Sequence, residues 1–167
     1  MAIVRRDNIK SATNGHLYSV VVENSGSTAI DAENGLFVEV GALMEGQREA
    51  RHGKVGENAT ALVCAPELMY DERLNHLDEF VIEAGTVVRA FELQLGDIFT
   101  ITADGFTSGN IDSLAVGTKV IVDGTNGKLK AGTGGKIEFE VFEAPTFELH
   151  RTMKSVTLIV VEPTVAG

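Results

Sequence analysis

Hydrophobic and polar positions alternate along most of this chain in short runs separated by turn residues, the two-residue period of strands with one buried face. His16 to Glu23 (HLYSVVVE) is rich in Tyr and Val and stops at Asn-Ser-Gly. Leu36 to Val40 sets Leu36, Val38 and Val40 against Phe37 and Glu39. Thr60 to Ala65 (TALVCA) is apolar throughout, as a strand buried on both faces must be, and ends at Pro66. Val87 to Leu93 alternates Val87, Phe91 and Leu93 around Arg89, which is either an outward charge on a bulged strand or a paired inner one. Asp97 to Thr102 places Phe99 and Ile101 opposite Ile98, Thr100 and Thr102. Lys119 to Asp123 runs into Asp-Gly and Asn-Gly, which supply the left-handed residues of tight turns, so residues 119–131 predict a hairpin. Lys136 to Glu143 alternates Ile137, Phe139 and Val141 with an acidic outer face of Glu138 and Glu140, and Ser155 to Val161 is the most apolar run. The pattern predicts a mainly β protein: a compact β-barrel or β-sandwich of about nine short antiparallel strands, with at most one or two short helices.

Helical periodicity is confined to Ala65 to Phe80, where Leu68, Leu74 and Leu77 are partly in phase and Pro66 suits a first turn. Met69, Tyr70 and Phe80 break that phase, so a helix and a loop with one short helix are equally compatible. Residues 1–15 differ from the rest. They carry Arg5, Arg6 and Lys10, and read either as a solvated terminus or as an arm that orders on a partner by strand addition. The body is then residues 16–167, with a subdivision near 94–114. Gly41 to Gly56, with Arg48, Arg51 and His52, reads as a long charged loop or a mobile hairpin.

Charge narrows the function classes. Across 167 residues, 24 acidic and 14 basic side chains leave a net charge of −10. That disfavours a general nucleic-acid binder, which needs a basic footprint, and a peripheral binder of anionic membrane. No apolar run approaches the roughly 20 residues of a membrane span, and the first residues lack the apolar core of a secretory signal. One cysteine, Cys64, excludes an internal disulfide framework and a multi-cysteine zinc site.

Catalytic templates fail individually. Gly132-Thr133-Gly134-Gly135-Lys136 is followed by Ile137, and position 130 is lysine, so the first glycine and the hydroxyl of a phosphate loop are both missing. Gly105-Phe106-Thr107-Ser108-Gly109 has threonine where a nucleophile elbow has serine. Cys64 lies in an apolar run, where a thiol behaves as a small hydrophobe. The nearest cluster of potential metal ligands is Asp71, His76 and Asp78, without paired-histidine spacing. No cofactor is expected.

The segment from Pro66 to Thr102, PELMYDERLNHLDEFVIEAGTVVRAFELQLGDIFTIT, and the later AVGTKVIVDGTNGKLKAG resemble small structural proteins of tailed-bacteriophage heads, the capsid decoration or cement (head accessory) class. The resemblance covers residues 36–131 and is one of pattern rather than of a fixed motif, so no functional residue carries over from it. It implies a non-enzymatic protein on the outer surface of the virion capsid, made in the host cytoplasm. It further implies a homo-oligomer, a trimer above all, that holds the major capsid protein shell against internal pressure. From the residues themselves, the expected capsid contacts are Ile3, Val4, Arg5, Arg6 and Lys10 in the terminal segment, with Arg48 and Arg51 in the charged loop. A tail-tube or head-completion protein is the alternative within a virion. A small metal-dependent hydrolase using Asp71, His76 and Asp78 is the alternative from another class. A sugar-binding sandwich is disfavoured by two tyrosines and no tryptophan.

Overall fold

The computed structural model describes residues 2–10, 16–46, 50–65, 81–150 and 152–162. Eleven strands order as β1 (Val4–Asn8), β2 (Leu17–Glu23), β3 (Phe37–Leu43), β4 (Ala50–Lys54), β5 (Ala61–Val63), β6 (Val87–Glu92), β7 (Ile98–Thr102), β8 (Lys119–Val122), β9 (Leu129–Ala131), β10 (Glu138–Thr146) and β11 (Ser155–Val161). A 3-10 turn, Ala103–Gly105, follows β7. Strands β2-β4-β3-β5-β6 close into a barrel, and the others form a six-stranded sheet in the order β1-β7-β11-β10-β8-β9. Among the described residues no helix is long and apolar enough to cross a membrane.

The alternation of side chains explains how the two halves join. Val20, Val22, Val38, Ala61, Val63, Val88 and Ala90 point into the barrel and fill it. The interleaved Phe37, Leu62 and Phe91 point out of the same wall and meet Phe99, Ile101, Phe139, Val141 and Leu158 from the six-stranded sheet. Strand β5, with the start of β3 and the Ala90–Phe91 part of β6, is therefore buried on both faces, which is why TALVCA shows no polar alternation. At the junction the Phe37 ring centroid lies 6.1 Å from that of Phe99 and 5.4 Å from that of Phe139, and Phe99 meets Phe139 edge-on at 5.5 Å. Burying each such side chain contributes about 1.5–3 kcal/mol.

A narrow barrel also needs small residues. A Cβ on Gly53 in β4 would stand 3.0 Å from the Cβ of Val20 in β2, so glycine lets these strands approach. In the β8–β9 hairpin Gly127 has φ +69°, and its carbonyl accepts the Phe37 N–H at 2.8 Å, tying the hairpin loop to the barrel wall. The expected hairpin over 119–131 is present, with Val122 opposite Leu129 and Val120 opposite Ala131.

The structure corrects several expectations. All nine predicted runs are strands, but β1 and β4 join them. Pairing is antiparallel except between β2 and β4, which run parallel and close the barrel. Arg89 is outward and exposed on β6. Glu138 is fully buried rather than on an acidic outer face, because the glycine-rich turn folds over it and the Gly134 N–H donates to its carboxylate at 2.6 Å. The predicted helix or loop over 66–80 lies outside the described residues.

Residues 2–10 are no separate arm. Ala2, Ile3 and Ile9 are buried, and β1 pairs with β7. The Ile3 N–H donates to Thr102 Oγ1 at 2.9 Å. The Lys10 N–H donates to Asp97 Oδ1 at 2.9 Å, while Asp97 Oδ2 accepts from the Gln94 N–H. Asp97, fully buried, thus clasps the turn before β7 and the end of β1 together, which is a structural reason for the Gly-Asp pair that precedes the strand.

Candidate functional site: a basic rim and a polar barrel mouth

The sequence-predicted contact residues separate into three places. Ile3 is buried and Val4 half-buried, so both serve the core rather than a surface. Arg5 and Arg6 are exposed on β1, which is an edge strand. Arg5 Nε donates to Asp7 Oδ1 at 2.6 Å and Arg5 Nη2 to Thr100 Oγ1 at 3.2 Å, on the outer face of the sheet. Arg6 turns the other way and sets its guanidinium 4.7 Å above the Phe91 ring. A bulge between Arg5 and Asn8 and the charges on this edge discourage strand addition. Lys10 Nζ donates to the Leu95 carbonyl at 2.6 Å, beside an apolar side chain that is 53% exposed. Arg5, Lys10 and Leu95 thus form a basic and apolar rim on an edge strand anchored by buried Ala2, Ile3 and Ile9.

Arg51 belongs elsewhere. It lies on β4, at the barrel mouth formed by the start of β2 and the end of β6. Its guanidinium sits 5.5 Å from the Tyr18 ring centroid, and Nη1 donates to the Gly41 carbonyl at 3.2 Å. The Tyr18 hydroxyl donates to Glu92 Oε2 at 3.2 Å, and His16 Nδ1 lies 3.2 Å from the same oxygen. Burial, then the adjacent Glu92 charge, pushes the Tyr18 phenol above its ordinary value. The polar atoms of this cluster are spent on one another, so it caps the apolar barrel where strand ends would otherwise open to water.

The raised phenol gives a testable sign. Folding favours the protonated form, so this contribution is complete below the ordinary tyrosine range and is lost as pH rises through the elevated value. An alkaline absorbance titration is expected to show one phenol, absent in Tyr18→Phe, ionising later than a free tyrosine. Identical titration of both tyrosines would refute it.

A second pair was not visible in the sequence. Glu23 on β2 is buried, with Oε1 2.9 Å from His52 Nδ1 on β4 and Oε2 without a hydrogen-bond partner among the described residues. In the β8–β9 loop, the Thr125 N–H holds Asp123 below the usual carboxylate range, helped by the Thr107 hydroxyl and Lys130. This loop and the glycine-rich run line a cleft of about 390 Å³ whose rim mixes Glu57 and Asp123 with Lys130 and Lys136. The Gly132–Lys136 run is a turn between β9 and β10, with no strand-to-helix step behind it. Cys64 is half-buried against the large apolar cluster.

Arg48, Asp71, His76 and Asp78 lie outside the described residues. Among the described residues no three His, Cys, Asp or Glu side chains gather where they could share a metal ion. No protein-family model, curated protein or solved structure matches this chain.

Proposed function

We propose that this protein is a structural virion protein that binds the outer surface of a phage capsid, through the major capsid protein, and stabilises the shell without a catalytic step. The proposal draws on the resemblance of residues 36–131 and on one structural observation, the rim of Arg5, Lys10 and Leu95. Strand β1 is anchored through Ala2, Ile3 and Ile9, so these exposed groups are ordered before any partner arrives and docking costs less conformational entropy. On a chain with a net charge of −10, a localised basic rim orients the molecule toward an acidic shell surface during encounter.

Reversing the rim charge with Arg5→Glu and Lys10→Glu together is expected to weaken co-sedimentation with empty shells about tenfold or more, with an unchanged circular-dichroism spectrum. Added salt weakens the native interaction and leaves the variant's residual binding nearly unaffected. Shell binding that survives both substitutions undiminished sinks the reading.

A further inference from the structure

Two surfaces on this molecule are complementary to each other and do not meet within one chain. The first is the outer face of β2 and β6, which borders the six-stranded sheet at Phe91 and extends from there along the barrel wall. Three successive cross-strand pairs lie on it, Leu17 with Phe91, Ser19 with Arg89, and Val21 with Val87, of which Phe91 and Val21 are buried and the others form the surface. Leu17 is 37% and Val87 45% exposed, and Arg89 stands exposed between them. Arg6, over Phe91, adds a second guanidinium at one end. On a protein with 24 acidic side chains, neither arginine forms an ion pair with a described residue.

The second surface is the far half of β10. Residues 138–140 pair with β8 and Val141 still bonds to Gly117 and Thr118, so beyond Val141 the strand continues with β11 on one side and no described strand on the other. Two register shifts between Val141 and Thr146 bend this ribbon. It carries the string Phe142-Glu143-Ala144-Pro145-Thr146-Phe147-Glu148. Phe142 is 50% and Phe147 56% exposed, whereas Phe37, Phe91, Phe99, Phe106 and Phe139 are all buried. Glu148 is exposed and forms no ion pair with a described residue.

We propose that the β10–β11 ribbon of one copy docks on the β2–β6 face of a second copy of this chain. Aromatic side chains with adjacent carboxylates on the ribbon meet aliphatic side chains with unpaired guanidinium groups on the face. Arginine binds carboxylate in a planar, often two-bonded geometry, and phenylalanine anchors supply most of the energy of such contacts. Nucleic acid suits the protein less well, because a net charge of −10 repels phosphate. The contact joins unlike surfaces, so it closes either by reciprocal exchange in a dimer or by a rotation in a larger ring. It forms without a shell and is independent of the shell-binding reading.

Sedimentation of the full chain across a concentration series, without shells, tests this. The native protein is expected at a multiple of its 17.8 kDa mass. Arg89→Glu and Glu148→Arg are each expected to weaken association about tenfold or more, and the two together to restore it. Phe142→Ser with Phe147→Ser disrupts it by a second route, with circular dichroism confirming the fold throughout. A native chain that remains monomeric, association indifferent to both charge reversals, or a double variant that fails to recover each overturns the proposal. So does a monomer whose Arg89→Glu form loses affinity for an oligonucleotide or for shells, since the face then serves another partner.

Discussion

A chain lacking residues 2–10 is expected not to fold. Ile3 is 8% and Ile9 7% exposed, so removing them takes two large apolar side chains from the core. At about 1.5–3 kcal/mol each, that is about 3–6 kcal/mol before Ala2 and Val4 are considered. The deletion also removes the Lys10 N–H from Asp97, leaving a fully buried carboxylate with fewer donors, at about 1–3 kcal/mol. It strips β7 of its only partner on that side, exposing the row of peptide groups that paired with Val4 and Arg5. The combined loss rivals the about 5–15 kcal/mol of stability that a typical protein possesses. Soluble expression and a urea titration check the outcome. A cooperative transition at the native midpoint in the truncated chain would refute it and restore the separate-arm reading. For the same reason truncation is a poor test of docking, because it removes the body with the basic side chains, whereas charge reversal at Arg5 and Lys10 leaves the buried groups in place.

The strands that the sequence hid are instructive for physical reasons. The nine predicted runs share an apolar face, and that face is what alternation reports. Strand β1 reads Val-Arg-Arg-Asp-Asn because it is an edge whose side chains mostly face water, its apolar anchors lying just outside it at Ala2, Ile3 and Ile9. Strand β4 reads Ala-Arg-His-Gly-Lys because its inward positions are Arg51, at the barrel mouth, and Gly53, where no side chain fits. Closure of the barrel rests on the parallel pairing of β2 with β4, which no local pattern specifies. Tertiary cover also defeated the alternation at Glu138, whose phase placed it outside until the Gly134 turn buried it. The barrel-mouth cluster was illegible for a related reason: His16 and Tyr18 meet Glu92 across 76 and 74 residues of sequence. Of the expected contact residues, the exposure of Arg5, Arg6 and Lys10 followed from their charge, while the burial of Ile3 followed from a strand that the same charges concealed.

Phe37→Ala is expected to lower the stability of the whole molecule rather than of one half. The ring is fully buried and lies against Phe99 and Phe139 on the six-stranded sheet, while its own strand, through Val38, lines the barrel. Truncation leaves a cavity between two walls that are each held by strand pairing, so neither can collapse to fill it. The cost is about 3–5 kcal/mol. At about 2–4 °C per kcal/mol for a chain of this length, the melting temperature falls by about 6–20 °C. The more discriminating expectation concerns the shape of the transition. Because β3, β5 and β6 each present one face to the barrel interior and the other to the sheet, opening the barrel exposes Phe37, Leu62 and Phe91 and so dismantles the second core as well. The variant should therefore melt in a single transition, shifted but not split, and calorimetric and van't Hoff enthalpies should agree. Two separated transitions would mean that the barrel survives the loss of its neighbour, and that the shared strands do not couple the two cores.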